Sequence, residues 1–233
     1  MRSVIKYGLL FDKSFAEKIE GAGRLDVMRL EDVAQTSLSS QHIEFLLTMG
    51  IKCNDLIASP DIRTNVYDII DFYHENIRTG EEEIPYNHLL FGVGGGSIDH
   101  ILINRATNGI FVIKNAISAG RQWSASLEKL LFRNVFARYR HLETKRSMVF
   151  VNSNFTSHDL GKCDATLEKF GLGKLWFSDT VSLSAESNNR ALQIVKFEGS
   201  GWWVRVSAEN ELVISEIIES ICNVFDIQLR NVK

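Results

Sequence analysis

Two charged residues bracket a pair of apolar segments in the stretch SIDHILINRATNGIFVIKNA, residues 97–116. Asp99 opens the first segment and Lys114 closes the second. If the segments pair as an antiparallel hairpin, the alternation of side chains along each strand brings both residues to one face. A carboxylate that holds Mg²⁺ and a lysine beside the attacking water are components of metal-dependent phosphodiester hydrolysis. The spacing therefore indicates a candidate hydrolytic site.

A second metal-binding acid is missing from the expected position in this hairpin. An oxygen cage for Mg²⁺ or Mn²⁺ needs a further carboxylate two residues before the lysine, and Val112 occupies that position. The intervening backbone carbonyl, that of Ile113, would still be available to a metal. The hairpin alone is thus an incomplete metal site, which an acid from elsewhere would have to complete.

The glycines that precede Asp99 suggest a phosphate-binding loop only at first sight. Such loops deliver the phosphate to a helix N-terminus, whereas the glycines at 94–96 lead into another predicted strand. They therefore predict a turn. His100 alternates to the face opposite Asp99, which predicts a core or supporting role for this histidine.

The first 84 residues have the apolar spacing of helices and form a predicted N-terminal helical region. One short helix is expected at 41–49, between Ser40 and Gly50. A longer helix is expected from Ser59, a favourable N-cap, to Gly80, which can end it.

After Pro85 the pattern changes to short aliphatic segments bounded by Gly, Asn and Ser, which predict strands. The Asn108-Gly109 turn predicts the hairpin that carries the candidate site. The later elements are expected as a helix at 122–142, a strand at 147–152, a helix at 157–170, a strand at 174–178, a hairpin at 192–206 and a helix from about residue 210. This order predicts an α/β domain at 85–233, built on a mixed sheet with helices on both faces.

The strings IDHILI and NGIFVIKN, at 98–103 and 108–115, resemble the nuclease-related (NERD) domain. The string MVFVNSNFTSHDL, at 148–160, is similar to a segment of Mrr-type restriction endonucleases. Both families belong to the PD-(D/E)XK nuclease superfamily. The resemblance implies a restriction-endonuclease-like fold, with a mixed central sheet flanked by helices. It also implies a Mg²⁺- or Mn²⁺-dependent nuclease, for which DNA is favoured over RNA as the substrate.

Carried over by position, the resemblance implies that Asp99 is the metal-binding aspartate. Lys114 then matches the lysine of the acid-any-lysine triplet, and Asn115 matches the residue after it. Relative to this pattern, either Val112 replaces the acid or two residues including the acid are missing before Lys114. The departure supports a second hypothesis beside the nuclease. This is a nuclease-fold domain that no longer cuts and serves as a nucleic-acid-binding or protein-interaction module.

In similar superfamilies the adjacent helix supplies a missing strand acid, which makes Glu128 the first candidate here. On the predicted helix, Glu128 shares an apolar face with Phe132 and Val135. An acid on a core-facing stripe requires a partner or a metal, so Glu128 is expected to complete the site. The alternative is an acid that simply favours the helix dipole in the first turn. Asp71 and Glu75, on the preceding helix, are further candidate ligands.

The segment 121–146 is basic, with seven Lys and Arg residues against two acids, although the whole chain has a net charge of −3. Lys129, Arg133 and Arg140 recur on one side of the predicted helix, opposite much of its apolar face. They are expected to contact phosphates of a bound nucleic acid. The alternative is an ordinary solvated helix surface. Of Trp202 and Trp203, adjacent on a strand, one is expected in the core, and the other could stack on a base.

The composition predicts the cellular location of the protein and limits its expected partners. Cys53, Cys163 and Cys222 are widely spaced and form no metal-binding motif, which indicates reduced thiols and a cytoplasmic location. No apolar segment is long enough to span a bilayer, so no membrane partner is expected. A homodimer is an open alternative, since many DNA nucleases use two active sites.

Overall fold

The computed structural model of the chain describes residues 1–57, 62–95, 99–113, 120–152, 159–197 and 201–232. The chain divides into two compact units, Met1–Leu131 and Phe132–Lys233. This division does not coincide with the predicted boundary between residues 84 and 85. The α/β class predicted from the sequence is confirmed.

The first unit combines helices with two antiparallel sheets. Its helices are α1 (Arg2–Leu9), a 3-10 turn (Phe15–Lys18), α2 (Arg24–Ala34), α3 (Ser40–Met49), α4 (Val66–Phe72) with a π-helical continuation (Tyr73–Ile77), and the start of α5 (Leu127–Tyr139). Its strands are β1 (Ile19–Glu20), β2 (Lys52–Cys53), β3 (Ile62–Arg63), β4 (His88–Gly94), β5 (His100–Asn104), β6 (Ile110–Ile113) and β7 (Arg121–Ser124). Strand β1 pairs with β2, and the other five form a sheet in the order β3-β4-β5-β6-β7.

The N-terminal helices and the five-stranded sheet share one core. Phe45 of α3 and Phe91 of β4 are both fully buried, with ring centroids 4.8 Å apart. Behind α4, the Tyr73 hydroxyl accepts a hydrogen bond from the Leu90 backbone N–H at 3.2 Å. Because these helices bury their apolar faces on the sheet, residues 1–84 belong to the same unit as the predicted hairpin.

The hairpin predicted at Asn108-Gly109 is confirmed. Strands β5 and β6 pair with Ile103 opposite Ile110, and the Asn104 N–H donates to the Gly109 carbonyl at 2.9 Å. Asn108 adopts a left-handed conformation with φ +57°, which asparagine tolerates better than most residues. Residues within the turn therefore stabilise it.

Two predicted helices begin later than expected, because described residues within their predicted ranges join the sheet. In the first case, Ile62 and Arg63 pair with β4. Helix α4 then starts after Asn65, whose side chain accepts from the Tyr67 N–H at 3.0 Å. The expected N-cap, Ser59, lies outside the described residues.

In the second case, residues 121–124 form β7 on the edge of β6. Helix α5 follows, and the Ser126 hydroxyl accepts a hydrogen bond from the Lys129 N–H at 3.2 Å in its first turn. The end predicted at residue 142 corresponds to the 3-10 turn Arg140–Leu142 that continues α5.

The second unit contains the rest of α5 and a six-stranded sheet. Its other helices are a 3-10 turn (Leu160–Cys163), α6 (Asp164–Lys169) and α7 (Glu211–Phe225). Its strands are β8 (Arg146–Asn152), β9 (Gly173–Lys174), β10 (Ser182–Glu186), β11 (Ala191–Phe197), β12 (Gly201–Ala208) and β13 (Arg230–Val232). The strand order is β13-β8-β12-β11-β10-β9.

The expectation of one mixed central sheet is wrong for the described strands. All of their pairings are antiparallel. The candidate hairpin and β8, which a restriction-endonuclease-like core would join, lie in different sheets. The short connections that join β5 to β6, β10 to β11 and β11 to β12 favour antiparallel pairing of those neighbours.

One face of the six-stranded sheet is apolar and lies under α6 and α7. Trp202 of β12 is 2% exposed, and its ring lies 4.7 Å from that of Phe225 on α7. Leu183, Ile194 and Val204 are fully buried in the same cluster. The hydrophobic core of this unit is therefore on the α7 side.

The opposite face is polar and binds the second half of α5 through side-chain hydrogen bonds. Gln193 donates to the carbonyl of Arg133 at 3.1 Å, and Arg205 donates to the carbonyl of Ala137 at 2.8 Å. These donors bond the helix backbone directly, so α5 is fixed to this face by hydrogen bonds as well as by packing.

Among the described residues, each unit contains one fully buried histidine that is neutral at pH 7. In the first unit, both ring nitrogens of His42 lack a hydrogen-bond partner among the described residues, and the ring lies 5.5 Å from that of Phe91. Burial lowers the pKa of His42 to about 4. In the second unit, His141 Nδ1 bonds the Ser207 hydroxyl at 2.6 Å. Burial, with a smaller contribution from Arg205 and Arg140, lowers the pKa of His141 to about 3.

We predict that acid destabilises the fold through these histidines. The unfolded chain protonates each imidazole below about pH 6.5, whereas folded His42 stays neutral until about pH 4. The unfolding free energy therefore falls as the pH decreases through this window, by on the order of 3 kcal/mol for His42. Urea unfolding at pH 7, 6, 5 and 4.5 measures this loss.

The His42→Leu variant should show a shallower pH dependence than wild type, because it has no imidazole to protonate in the core. His74→Leu is the matched control, since His74 is exposed on the π-helical turn after α4. If His42→Leu and His74→Leu keep the same slope as wild type, the assignment of His42 to this effect is wrong.

Candidate functional site

The candidate site is the end of the five-stranded sheet at which β5 and β7 begin. Asp99 directly precedes β5, and Arg121 is the first residue of β7. Arg121 Nη2 lies 3.5 Å from Asp99 Oδ2, with the two side chains 36% and 21% exposed. Strand β6 runs between them, and Val112 pairs with both Ile101 and Arg121. The sheet end thus presents a partly exposed carboxylate and guanidinium in contact.

The structure places only some of the predicted hairpin residues. Val112 is half-buried and aliphatic, as its identity requires, and offers no ligand. Ile113, whose carbonyl was expected to bind a metal, is 4% exposed and pairs with His100. Lys114 and Asn115 lie outside the described residues. Of the predicted acid and lysine, the acid alone is therefore located.

Glu128 occupies the first turn of α5, but its described partner is on α1. The Ser3 hydroxyl donates to Glu128 Oε1 at 2.9 Å. The carboxylate is half-buried and hydrogen-bonded, so its position is explained without a metal. The other candidate acids, Asp71 and Glu75, are exposed on α4 and the π-helical turn after it.

The described residues do not fit a Mg²⁺ or Mn²⁺ centre. Among residues 1–57, 62–95, 99–113, 120–152, 159–197 and 201–232, no group of three or more His, Cys, Asp and Glu residues is close enough to hold a metal ion. Hard cations prefer several oxygen ligands, and Asp99 instead contacts a guanidinium.

His100 takes the supporting role predicted for it. Its Nδ1 accepts from the Gly94 N–H at 3.0 Å, which leaves the ring proton on Nε2 to bond Glu82 Oε2 at 2.9 Å. The Phe72 ring lies 4.8 Å away. The histidine therefore ties the end of β4 to the start of β5, directly beside Asp99.

Glu82 was not predicted as part of this site. The acidic segment 80–85 has the composition of an exposed connection, and the partner lies 18 residues further along the chain. A histidine next to these acids in the sequence would have indicated the contact. Here only the fold brings Glu82 and His100 together.

The expected exposed basic face of α5 is wrong for two of its three residues. Arg133 is 2% exposed and Arg140 is 7% exposed, whereas Lys129 is half-buried. The physical reason is the polar sheet face beneath α5, which accommodates inward-facing arginines. Burial lowers the pKa of Arg133 to about 10, and the Asp179 carboxylate partly opposes this shift.

Arg140 connects the end of α5 to the β10–β11 hairpin. Its Nε donates to Glu186 Oε2 at 2.6 Å, and its Nη2 donates to the carbonyls of Ser187 and Asn188. A third contact joins Nη1 to Glu143 Oε2 at 3.4 Å. These five residues line an open cavity of about 650 Å³. The guanidinium donors are directed at the protein, which indicates a structural role.

The two tryptophans of β12 separate as predicted. Trp202 is in the core, and Trp203, on the other face, is half-buried. The aromatic residue that the sequence analysis missed is Trp176, which is 56% exposed and packs at 4.8 Å on Phe132. A tryptophan in a short segment between strands has no sequence signal for exposure.

No family model matches the sequence, and no curated protein matches it at a significant level of similarity. Within the part of the chain that the structure describes, the helices are all too short or too polar to cross a bilayer.

We predict that Arg140 stabilises the second unit and that Arg140→Ala lowers its unfolding free energy by about 2 to 3 kcal/mol. The substitution leaves Glu186 and two carbonyls without their donor, in a site where the arginine side chain is 9% exposed. Arg140→Lys should recover only part of this loss, because an ammonium lacks the planar fork. Denaturant unfolding measures both.

Arg146→Ala is the matched control, because this arginine is 63% exposed and its contact with Glu211 is long, at 4.0 Å. Equal stability of the Arg140→Ala and Arg146→Ala variants would contradict the structural role of Arg140.

Proposed function

We propose that this chain is a nuclease-related domain that binds nucleic acid at the Asp99–Arg121 end of its five-stranded sheet and does not cut it. The resemblance of the strings at 98–103 and 108–115 to the NERD domain supports the relation to nucleases. The contact between Arg121 and Asp99 carries the proposal.

A guanidinium replaces the positive charge that a metal would supply beside Asp99. A divalent cation bound there would have to displace Arg121 or lie next to it, and like charges at that distance repel. Val112 removes the second ligand, and Glu128 is hydrogen-bonded to Ser3. Each of these features opposes metal binding.

Arg121 has the chemistry to bind a backbone phosphate. A guanidinium presents five N–H donors in a planar fork that matches phosphate oxygens. Its contact with Asp99 is long, at 3.5 Å, and the Arg121 side chain is 36% exposed. An exposed pair of this kind is weak, so a phosphate can compete for the guanidinium. Phosphate contacts position a nucleic acid without reading its sequence, so binding of DNA and RNA of many sequences is expected.

A Mg²⁺- or Mn²⁺-dependent nuclease is the second candidate function. It is favoured by the position of Asp99, which is partly exposed at the start of β5, as the resemblance implies. Lys114 would complete this candidate. The two functions differ in their dependence on a divalent cation and in whether the substrate is cleaved.

We predict that the protein retards single-stranded DNA, duplex DNA or RNA in EDTA and that Arg121→Ala weakens this binding by about tenfold or more. Arg121→Lys should retain part of the affinity, because it keeps the charge and loses the fork. Asp99→Asn should bind at least as well as wild type, since Asp99 no longer competes for Arg121. Fluorescence anisotropy at several salt concentrations measures the affinity.

Arg105→Ala is the matched control, because Arg105 is exposed in the β5–β6 turn, at the opposite end of the same sheet. Its affinity should equal that of wild type. Cleavage that requires Mg²⁺ or Mn²⁺ and disappears in Asp99→Asn would replace the proposal with the nuclease. The absence of both binding and cleavage would refute both functions.

A further inference from the structure

Helix α2 exposes a continuous face to solvent in the first unit. Val27, Leu30 and Val33 are buried against the unit. The exposed positions are Arg24, Leu25, Met28, Arg29 and Asp32. Leu25 and Met28 are 70% and 61% exposed, which is unusual for two large apolar side chains one turn apart. The face has an apolar centre and a charged residue toward each end.

Two of the charged side chains of α2 have no partner among the described residues. Arg29 lies 3.7 Å from Asp26, and Glu31 accepts from the Leu38 N–H at 2.9 Å. By contrast, no ion pair or side-chain hydrogen bond engages Arg24 or Asp32 in the part of the chain that the structure describes.

Both unpartnered charges oppose the helix dipole. Arg24 is the first residue of α2, where the positive end of the dipole disfavours a cation. Asp32 lies in the last turn, where the negative end disfavours an anion. Reversed charges would stabilise the isolated helix better. The arrangement is therefore favourable only when something outside the helix presents opposite charges in the opposite order.

We propose that α2 pairs antiparallel with α2 of a second copy of this chain, about a two-fold axis at Met28. Arg24 and Asp32 are each four residues from Met28, or about 6 Å along the helix axis. Antiparallel pairing centred on Met28 thus brings Arg24 of each copy to Asp32 of the other, twice by symmetry.

The same pairing supplies an apolar centre and opposed dipoles. Met28 meets its own symmetry mate, and Leu25 lies one turn away on the same face, so both lose exposed apolar area. Each helix N-terminus lies beside the C-terminus of the other helix, which is the favourable arrangement of two dipoles. This self-complementarity identifies a second copy as the partner. It does not depend on the proposed binding of nucleic acid.

The interface is small, so the dimer is reversible. One pair of three-turn helices buries less than the ~800 Å² per partner of a standard interface. We expect a dissociation constant on the order of 100 µM, which sedimentation equilibrium of the full chain can measure between about 10 µM and 1 mM.

Charge reversal tests the pairing. Arg24→Glu and Asp32→Arg should each weaken the dimer by about tenfold or more, because each places like charges together at two symmetry-related contacts. An equimolar mixture of the two variants should recover the wild-type affinity, since every contact in the mixed dimer again joins opposite charges. Both substitutions agree with the helix dipole, so a loss of dimer cannot be attributed to an unfolded α2.

A disulfide at the axis provides an independent measurement. Met28→Cys should form a covalent dimer on mild oxidation, and wild type, which has three free cysteines of its own, is the control. Met28→Asp should abolish the dimer, whereas Leu212→Asp, at an exposed apolar residue of α7, should not. The proposal is overturned if wild type is monomeric at about 1 mM. It is also overturned if the mixture of charge variants fails to recover the dimer, or if Met28→Cys cross-links no faster than wild type.

Discussion

The pairing of β7 with β6 is the interaction on which the candidate site depends. The register places Arg121 opposite Val112, at the sheet end where β5 begins. This position brings the guanidinium to Asp99 and provides the carboxylate with a positive partner. If residues 121–124 were the first turn of α5, Asp99 would lack this neighbour. Because residues 121–124 form an edge strand, the Asp99 carboxylate is paired with a guanidinium. Without this strand, the carboxylate would be free to bind a cation.

The polar face of the six-stranded sheet explains why Arg133 and Arg140 are buried instead of exposed. A helix that packs on an apolar sheet must turn its arginines outward. Helix α5 instead packs on a face that carries Gln193 and Arg205, which donate to its own backbone carbonyls. Arg140 can then point inward, because Glu186 and nearby carbonyls accept from it. The periodicity of apolar residues identifies the faces of a helix, but it does not identify the surface against which each face packs.

The elements that depend on neighbouring residues could be predicted from the sequence. The strands that depend on pairing with distant residues could not. The Asn108-Gly109 hairpin, α3 after the Ser39 cap and α7 after the Asn210 cap all depend on residues within a few positions of each other. By contrast, residues 62–63 and 121–124 have no strong strand signal and become strands because a neighbouring edge is open to them.

The candidate site was predictable to the same limited degree. Asp99 could be found because it opens an apolar strand, and alternation predicted a separate role for the adjacent His100. The partners of both residues could not be found, since Arg121 is 22 residues and Glu82 is 18 residues away in sequence. Both partners are long side chains that reach the site from other elements, so their roles depend on the fold and not on spacing.

The charged residues considered above differ in whether the protein itself supplies a partner for the charge. Arg140 is buried, and its donors are directed at acceptors of the protein, so its role ends at stability. Arg24 and Asp32 are exposed and placed against the helix dipole, so they lower the stability of the isolated chain. Arg121 and Asp99 are intermediate, in contact but weakly and in reach of solvent. Because such a charge gains nothing within the fold, we infer that its compensation comes from a partner. For this reason the informative surfaces here are α2 and the Asp99 end of the sheet, and not the more basic helix α5.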